Sequence, residues 1–127
     1  MIQLFYISVG AALGACSRWG LSNLFNPIFT SFAFGTLIAN YLGCFLMGII
    51  SGILLSFPMI GNEWRLFFIT GFLGSLTTFS SFSGEVVNIF LDEQWLTGIG
   101  VVCLHLFGCL AFTLLGIGLW RLLMLAF

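Results

Sequence analysis

The stretch GFLGSLTTFSSFSGE, Gly71 to Glu85, decides how this chain must be read. It puts three glycines, six hydroxyl side chains and three phenylalanines inside a run otherwise apolar enough to cross a membrane. In hydrocarbon every backbone amide and carbonyl must find a partner within the protein. Such an interruption is therefore tolerated only where protein buries it or where it lines a hydrated path. Broken membrane helices of this composition present carbonyls and helix ends to an ion. No side chain from Gly71 to Gly84 carries a formal charge. A solute held there meets hydroxyl and amide dipoles and ring edges, which suits a small ion in transit.

Outward from that stretch, composition fixes the class. The chain is 61% apolar and 6% charged over 127 residues, where a soluble domain carries about a quarter charged residues. It reads as a multi-pass integral membrane protein. At roughly 20 residues per span there is room for four helices and no soluble domain, so we expect one transmembrane domain, 1–127, with spans at about 2–24, 32–57, 65–90 and 96–126. The net charge is −1 and the three basic side chains are Arg18, Arg65 and Arg121, too few to neutralise phosphates, so no nucleic-acid partner is expected. Cys16, Cys44, Cys103 and Cys109 lie in apolar runs without CxxC spacing or clustered histidines. They read as small packing residues rather than a zinc site or disulfide framework. Leu13 to Cys16 resembles a lipoprotein cleavage box, but no basic residue precedes it, and the first segment is expected to be retained.

In the first span Gly10 and Gly14 stand four apart, a spacing that lets another helix approach closely. Asn26-Pro27 then stops the helix. Arg18 either snorkels to the interface or makes an electropositive vestibule for anions. In the second span Asn40 and Thr36 share a face. The Asn40 amide is either a link between helices or a pair of donors to an anion, uncharged enough to let it leave. Gly48 and Gly52 repeat the small-residue spacing, Pro58 closes the span, and Trp64-Arg65 anchor the next.

Phe79 and Phe82 are three apart and share a helical face. Such pairs are usually core or lipid-facing, yet these alternate with Ser80, Ser81 and Ser83, a poor lipid face. The positive edge of a phenyl ring can lie against an anion where water is excluded. Glu85 is an interfacial carboxylate or a gate at a pore mouth. His105, Cys109 and Thr113 form a stripe on the last span. It reads either as packing around one hydrogen-bonded histidine or as a weakly polar track.

Four spans would put both termini and the second loop on one side. Arg65 and Arg121 would then oppose Arg18, almost no bias under the positive-inside rule. A chain with so little orientational signal can insert both ways. An inverted pair brings two broken spans around a two-fold axis in the membrane plane, so the expected unit is an antiparallel homodimer.

Three motifs, GAALGACSR (Gly10 to Arg18), GTLIANYLGCFLMG (Gly35 to Gly48) and GFLGSLTTFSSF (Gly71 to Phe82), resemble the bacterial Fluc/CrcB fluoride channels, and the likeness covers essentially the whole chain. The resemblance implies an all-α membrane fold with four transmembrane helices per subunit, a broken third helix and a dual-topology homodimer with two antiparallel fluoride pores. It implies a bacterial inner-membrane location and passive fluoride export that lowers cytoplasmic toxicity, with no enzymatic activity. It further implies that Phe79 and Phe82 are the pore phenylalanines and Asn40 the pore asparagine. Ser80 and Thr113 are hydroxyl donors on the pathway, Glu85 is the vestibule carboxylate, and Arg18 matches the first-helix arginine. The backbone carbonyls of Gly74 and Thr77 from both subunits would hold a structural sodium ion, Na+. Ser75 stands where the family often has glycine, Ser81 where it often has threonine, and His105 where an aromatic is more frequent.

The alternative reading is a small dual-topology, proton-coupled drug exporter. That chemistry needs a membrane-embedded carboxylate, usually in the first span, and the first span has none. An intramembrane hydrolase built on Ser80 or Ser81 with His105 has no nucleophile elbow to support it.

Overall fold

The computed structural model describes residues 1–28 and 31–126, and residue 127 of the expected domain lies outside them. Its elements are α1 (Ile2–Phe25), a 3-10 turn (Asn26–Ile28), α2 (Phe34–Ser56), α3 (Asn62–Arg65), a π-helical stretch (Leu66–Leu73), α4 (Gly74–Leu76), α5 (Phe79–Leu91) and α6 (Trp95–Ala126). No strand occurs among the described residues. Three stretches among these residues are long and apolar enough to cross a membrane: Phe34–Ser56, Asn62–Leu91 and Trp95–Ala126. The α1 helix has the length, with 24 residues, or about 36 Å at the usual rise. Gln3, Ser17, Arg18, Ser22 and Asn23 dilute its apolar character.

Residues 62–91 form one interrupted passage. The interruption expected between Gly71 and Glu85 falls at Thr77 and Thr78, whose backbones are extended (φ −82°, ψ 153° and φ −148°, ψ 115°). Thr78 then caps α5, its Oγ1 accepting the Ser81 N–H at 3.1 Å, as a threonine before a new helix does. The π-helical turn upstream has no counterpart in the sequence reading. Such wide turns recur near functional sites.

The directions of the helices follow from which residues meet. Along α1 and the interrupted passage, Tyr6 lies against Trp64 (ring centroids 5.9 Å apart), Gly10 and Gly14 against the backbone of residues 67–76, and Arg18 against Ser75. Numbers rise together, so the two run parallel. Along α2 and α6, Asn40 meets His105, the Tyr41 ring stacks on Phe112 at 4.7 Å, and Ser56 meets Trp120. These also run parallel. Between α2 and the interrupted passage the order reverses, with Ala33 on Glu85, Asn40 on Thr78 and Gly43 on Thr77.

Close backbone approach explains the glycine spacing. A Cβ at Gly48 would run into the Thr113 carbonyl and one at Gly116 into the Phe45 carbonyl, while Gly10 and Gly14 meet the Phe67 and Phe72 carbonyls in the same way. Small residues at such crossings let van der Waals contact replace the hydrophobic drive that lipid does not supply. Two buried apolar clusters, Ala39 with Leu73 and Leu76, and Val86 with Ile89 and Val101, lie between the helices. Much of the remaining large apolar surface faces outward, as a lipid-solvated chain requires.

Candidate functional site

Asn40 organises the break. Its Oδ1 accepts the Thr78 N–H at 2.8 Å, and its Nδ2 donates to the Thr78 carbonyl at 3.3 Å. In an unbroken helix the Thr78 amide would bond to the Gly74 carbonyl four residues back. Asn40 takes it instead, so a side chain from α2 supplies the partners that an extended backbone would otherwise lack in hydrocarbon. Likewise the Ser81 amide, which a continuous helix would give to Thr77, goes to Thr78 Oγ1. Both Gly74 and Thr77 carbonyls thereby lose the amide that a continuous helix would bring them. A Cβ at Gly74 would have only Ile69 O near it, at 3.5 Å. The Thr77 hydroxyl is turned back onto the Leu73 carbonyl at 2.8 Å. Neutral hard oxygens of this kind fit a hard cation.

The amide orientation also fixes the histidine. Because Thr78 N–H must meet the Asn40 oxygen, Nδ2 is the atom 3.2 Å from His105 Nδ1, and it is a donor. Nδ1 must accept, which puts the His105 proton on Nε2. That N–H has no hydrogen-bond partner among the described residues, although His105 is only 4% exposed. A buried donor left open costs about 1–3 kcal/mol, and it is the kind of group an anion satisfies. From the sequence alone His105 reads either as a packing residue or as part of a polar track. The missing signal was its partner, since only the Asn40–His105 contact reveals which nitrogen is free.

The imidazole stacks on Phe82 (ring centroids 4.4 Å apart, planes at 30°), and Phe82 meets Phe79 edge-on at 5.5 Å. With its face covered by His105, Phe82 has its electropositive edge left for a ligand. Asn40, Thr77, Thr78, Phe79, Phe82, His105, Cys109 and Thr113 all line one cavity of about 500 Å³. No charged side chain is on its wall.

Of the residues expected on the pathway, Asn40, Phe79, Phe82 and Thr113 thus come together, whereas Ser80, Glu85 and Arg18 lie off the cavity wall. Ser80 Oγ sits 3.2 Å from Thr78 Oγ1, at the start of α5. Thr113 Oγ1 donates to its own helix at Cys109 O, 3.0 Å away. Glu85 Oε1 accepts the backbone N–H of Ala33, the residue that precedes α2, where helix amides favour a carboxylate. Its Oε2 is buried without a partner among the described residues. Arg18 Nε donates to the Ser75 carbonyl at 2.9 Å, capping the broken end of α4 with positive charge.

A sequence profile for the family described as "CrcB-like protein, Camphor Resistance (CrcB)" matches residues 5–117. The chain belongs to this family. Among curated CrcB-like relatives, "Fluoride-specific ion channel FluC" of Haemophilus influenzae (strain PittGG) is 59% identical over 122 residues, covering 96% of this chain and 95% of the relative. Proteins of the same name from Mannheimia succiniciproducens and Pasteurella multocida are 58% and 55% identical over 119 residues, each covering 94% of this chain and 94% and 93% of the relative. The two longest motifs of the CrcB-like chain converge on the Asn40–Thr78 contact. The first motif packs beside it through Arg18 and Ser75.

Proposed function

We propose that the protein is a fluoride-selective channel that lets F− leave the bacterial cytoplasm passively across the inner membrane. The relatives that match nearly its full length carry that function in their names. The single geometric observation that carries the reading is the buried, unpartnered Nε2–H of His105, a residue stacked on Phe82 that lines, together with Phe79 and Phe82, a cavity without charge. F− sheds water only where donors replace it, and neutral donors hold it weakly enough for release. Both Asn40 Nδ2 hydrogens already have acceptors at Thr78 and His105, so Asn40 orients the site and His105 presents the donor. Thr113 rotates toward the ion by giving up its bond to Cys109 O. Glu85, Arg18 and Ser80 support the route from outside the cavity.

Each chain crosses the membrane four times, and the working unit is an antiparallel dimer. Supporting this, Phe79 is 78% exposed, and Gly74, Ser80, Ser81 and Gly84 are exposed beside it. A break and its hydroxyls are not left against lipid, and a second copy inserted in the opposite sense would cover them. There the Gly74 and Thr77 carbonyls of two subunits would hold a sodium ion. When bound, the ion neutralises carbonyl dipoles crowded near the axis.

Reconstituted protein is expected to release fluoride from loaded liposomes, read with a fluoride electrode, and to leave chloride behind under the same gradient. Equal passage of both halides would defeat the selective-channel reading, and drug-driven proton release would favour an exporter. For the assembly, added lysines that force one orientation should abolish flux from either biased variant alone, and co-expression of the two should restore it. Full activity from one forced orientation would rule out the antiparallel unit.

A further inference from the structure

Two thiols face the same cavity and have no part in holding an anion. Cys44 of α2 and Cys109 of α6 both line it, and both are free and half-buried. They stand on the parallel helix pair one turn before the point where Gly48 meets Thr113. The two helices touch on both sides of this pair, where Gly108 meets the Tyr41 ring and where Gly48 meets the Thr113 carbonyl, so the thiols stand at neighbouring positions across one helix contact. The helix crossing beyond them is a backbone contact with no side chain to yield, so the spacing of the two thiols is set by the fold. Cys16 and Cys103, by contrast, are exposed and off the cavity wall.

We propose that Cys44 and Cys109 form a two-coordinate site for a soft, thiophilic d10 cation, of which Hg(II), Ag(I) and Cu(I) are the representatives. The donor set selects the ion. No group of three or more His, Cys, Asp and Glu side chains suited to a metal occurs among the described residues, so the tetrahedral demand of zinc is unmet. No carboxylate lines the cavity, so the oxygen-seeking Mg2+ and Ca2+ have nothing to bind. Two thiols on an uncharged wall that also includes Val102, Leu106 and Leu110 suit an ion that accepts a linear pair of sulfur ligands. With HgCl2 the balance is simple. Each S–H gives its proton to buffer, two S–Hg bonds form, two chlorides leave, and nothing is oxidised or reduced. A metal seated there narrows the cavity between Asn40 and Thr113, so occupancy blocks anion passage.

The probe is HgCl2 on reconstituted full-length protein, with fluoride efflux and thiol labelling read in parallel. One equivalent per subunit should suppress efflux at least about tenfold in the parent and in C16S/C103S, and dithiothreitol should restore it. The C44S/C109S variant should need at least about tenfold more mercury. In the unmutated protein the same single equivalent should protect Cys44 and Cys109 from N-ethylmaleimide, read by mass spectrometry, while Cys16 and Cys103 are still labelled. Protection at Cys16 or Cys103 in preference to the pair, or equal block of an active C44S/C109S channel, overturns the proposal. The labelling readout needs no flux, so it decides the case even where a variant does not fold or conduct.

Discussion

Replacing Asn40 with leucine is expected to cost most of the protein's stability and all of its fluoride flux. The substitution removes three hydrogen bonds together, those to Thr78 N–H, Thr78 C=O and His105 Nδ1. At about 1–3 kcal/mol for each buried group left unpaired, the loss is several kcal/mol, against a total of about 5–15 kcal/mol for a typical domain. The chain has one cheap way to recover part of it, which is to return the Thr78 amide to Gly74 and heal the break. That answer straightens the helix and erases the site. Asn40→Asp should fall between parent and leucine, since one oxygen still accepts from Thr78. Thermal denaturation in detergent alongside liposome efflux measures both effects. A leucine variant that melts with the parent would mean that Asn40 does not hold the break.

The second large effect separates two rings that the sequence treats alike. Phe79→Ile should reduce fluoride efflux about tenfold or more, the factor that roughly 1.4 kcal/mol makes and within reach of one lost aromatic contact. Its melting temperature should fall less than that of Phe82→Ile, because within the subunit the Phe79 ring is 78% exposed and only the second copy proposed above would cover it. Phe82→Ile should lose flux to at least the same degree and destabilise the subunit as well. Its ring packs on the Val86, Ile89 and Val101 cluster and stacks on His105. Unchanged flux in both variants would remove the ring edges from the pathway.

How much of this was legible in the sequence depends on how local its cause is. The all-helical character, the stop at Asn26-Pro27 and the close contacts at Gly10, Gly14 and Gly48 follow from hydropathy and spacing along a single helix, and the structure has them. That the passage over residues 62–91 breaks is also readable, from hydroxyls and glycines where lipid would not accept them. Where it breaks is not. The turn falls at Thr77-Thr78, not at a glycine, because the competing hydrogen bonds come from Asn40, 38 residues earlier. The π-helical turn over Leu66–Leu73 has no sequence mark. Arg18 and Glu85 were each read as facing water or a vestibule. Each also meets a helix end, at Ser75 O and Ala33 N, a use visible only once distant segments are neighbours. His105 was under-read for the same reason.

The pairing of parallel helices has a mechanical corollary. α1 with residues 62–76, and α2 with α6, are each joined backbone to backbone through glycines, and so behave as two stiff staves. The cavity does not pierce either one. It follows the seam where the second half of the interrupted passage leans on α2 and α6, a much slighter contact than that between α2 and α6 themselves. The bore can therefore be tuned by side chains along that joint while the rigid members on either side keep their shape.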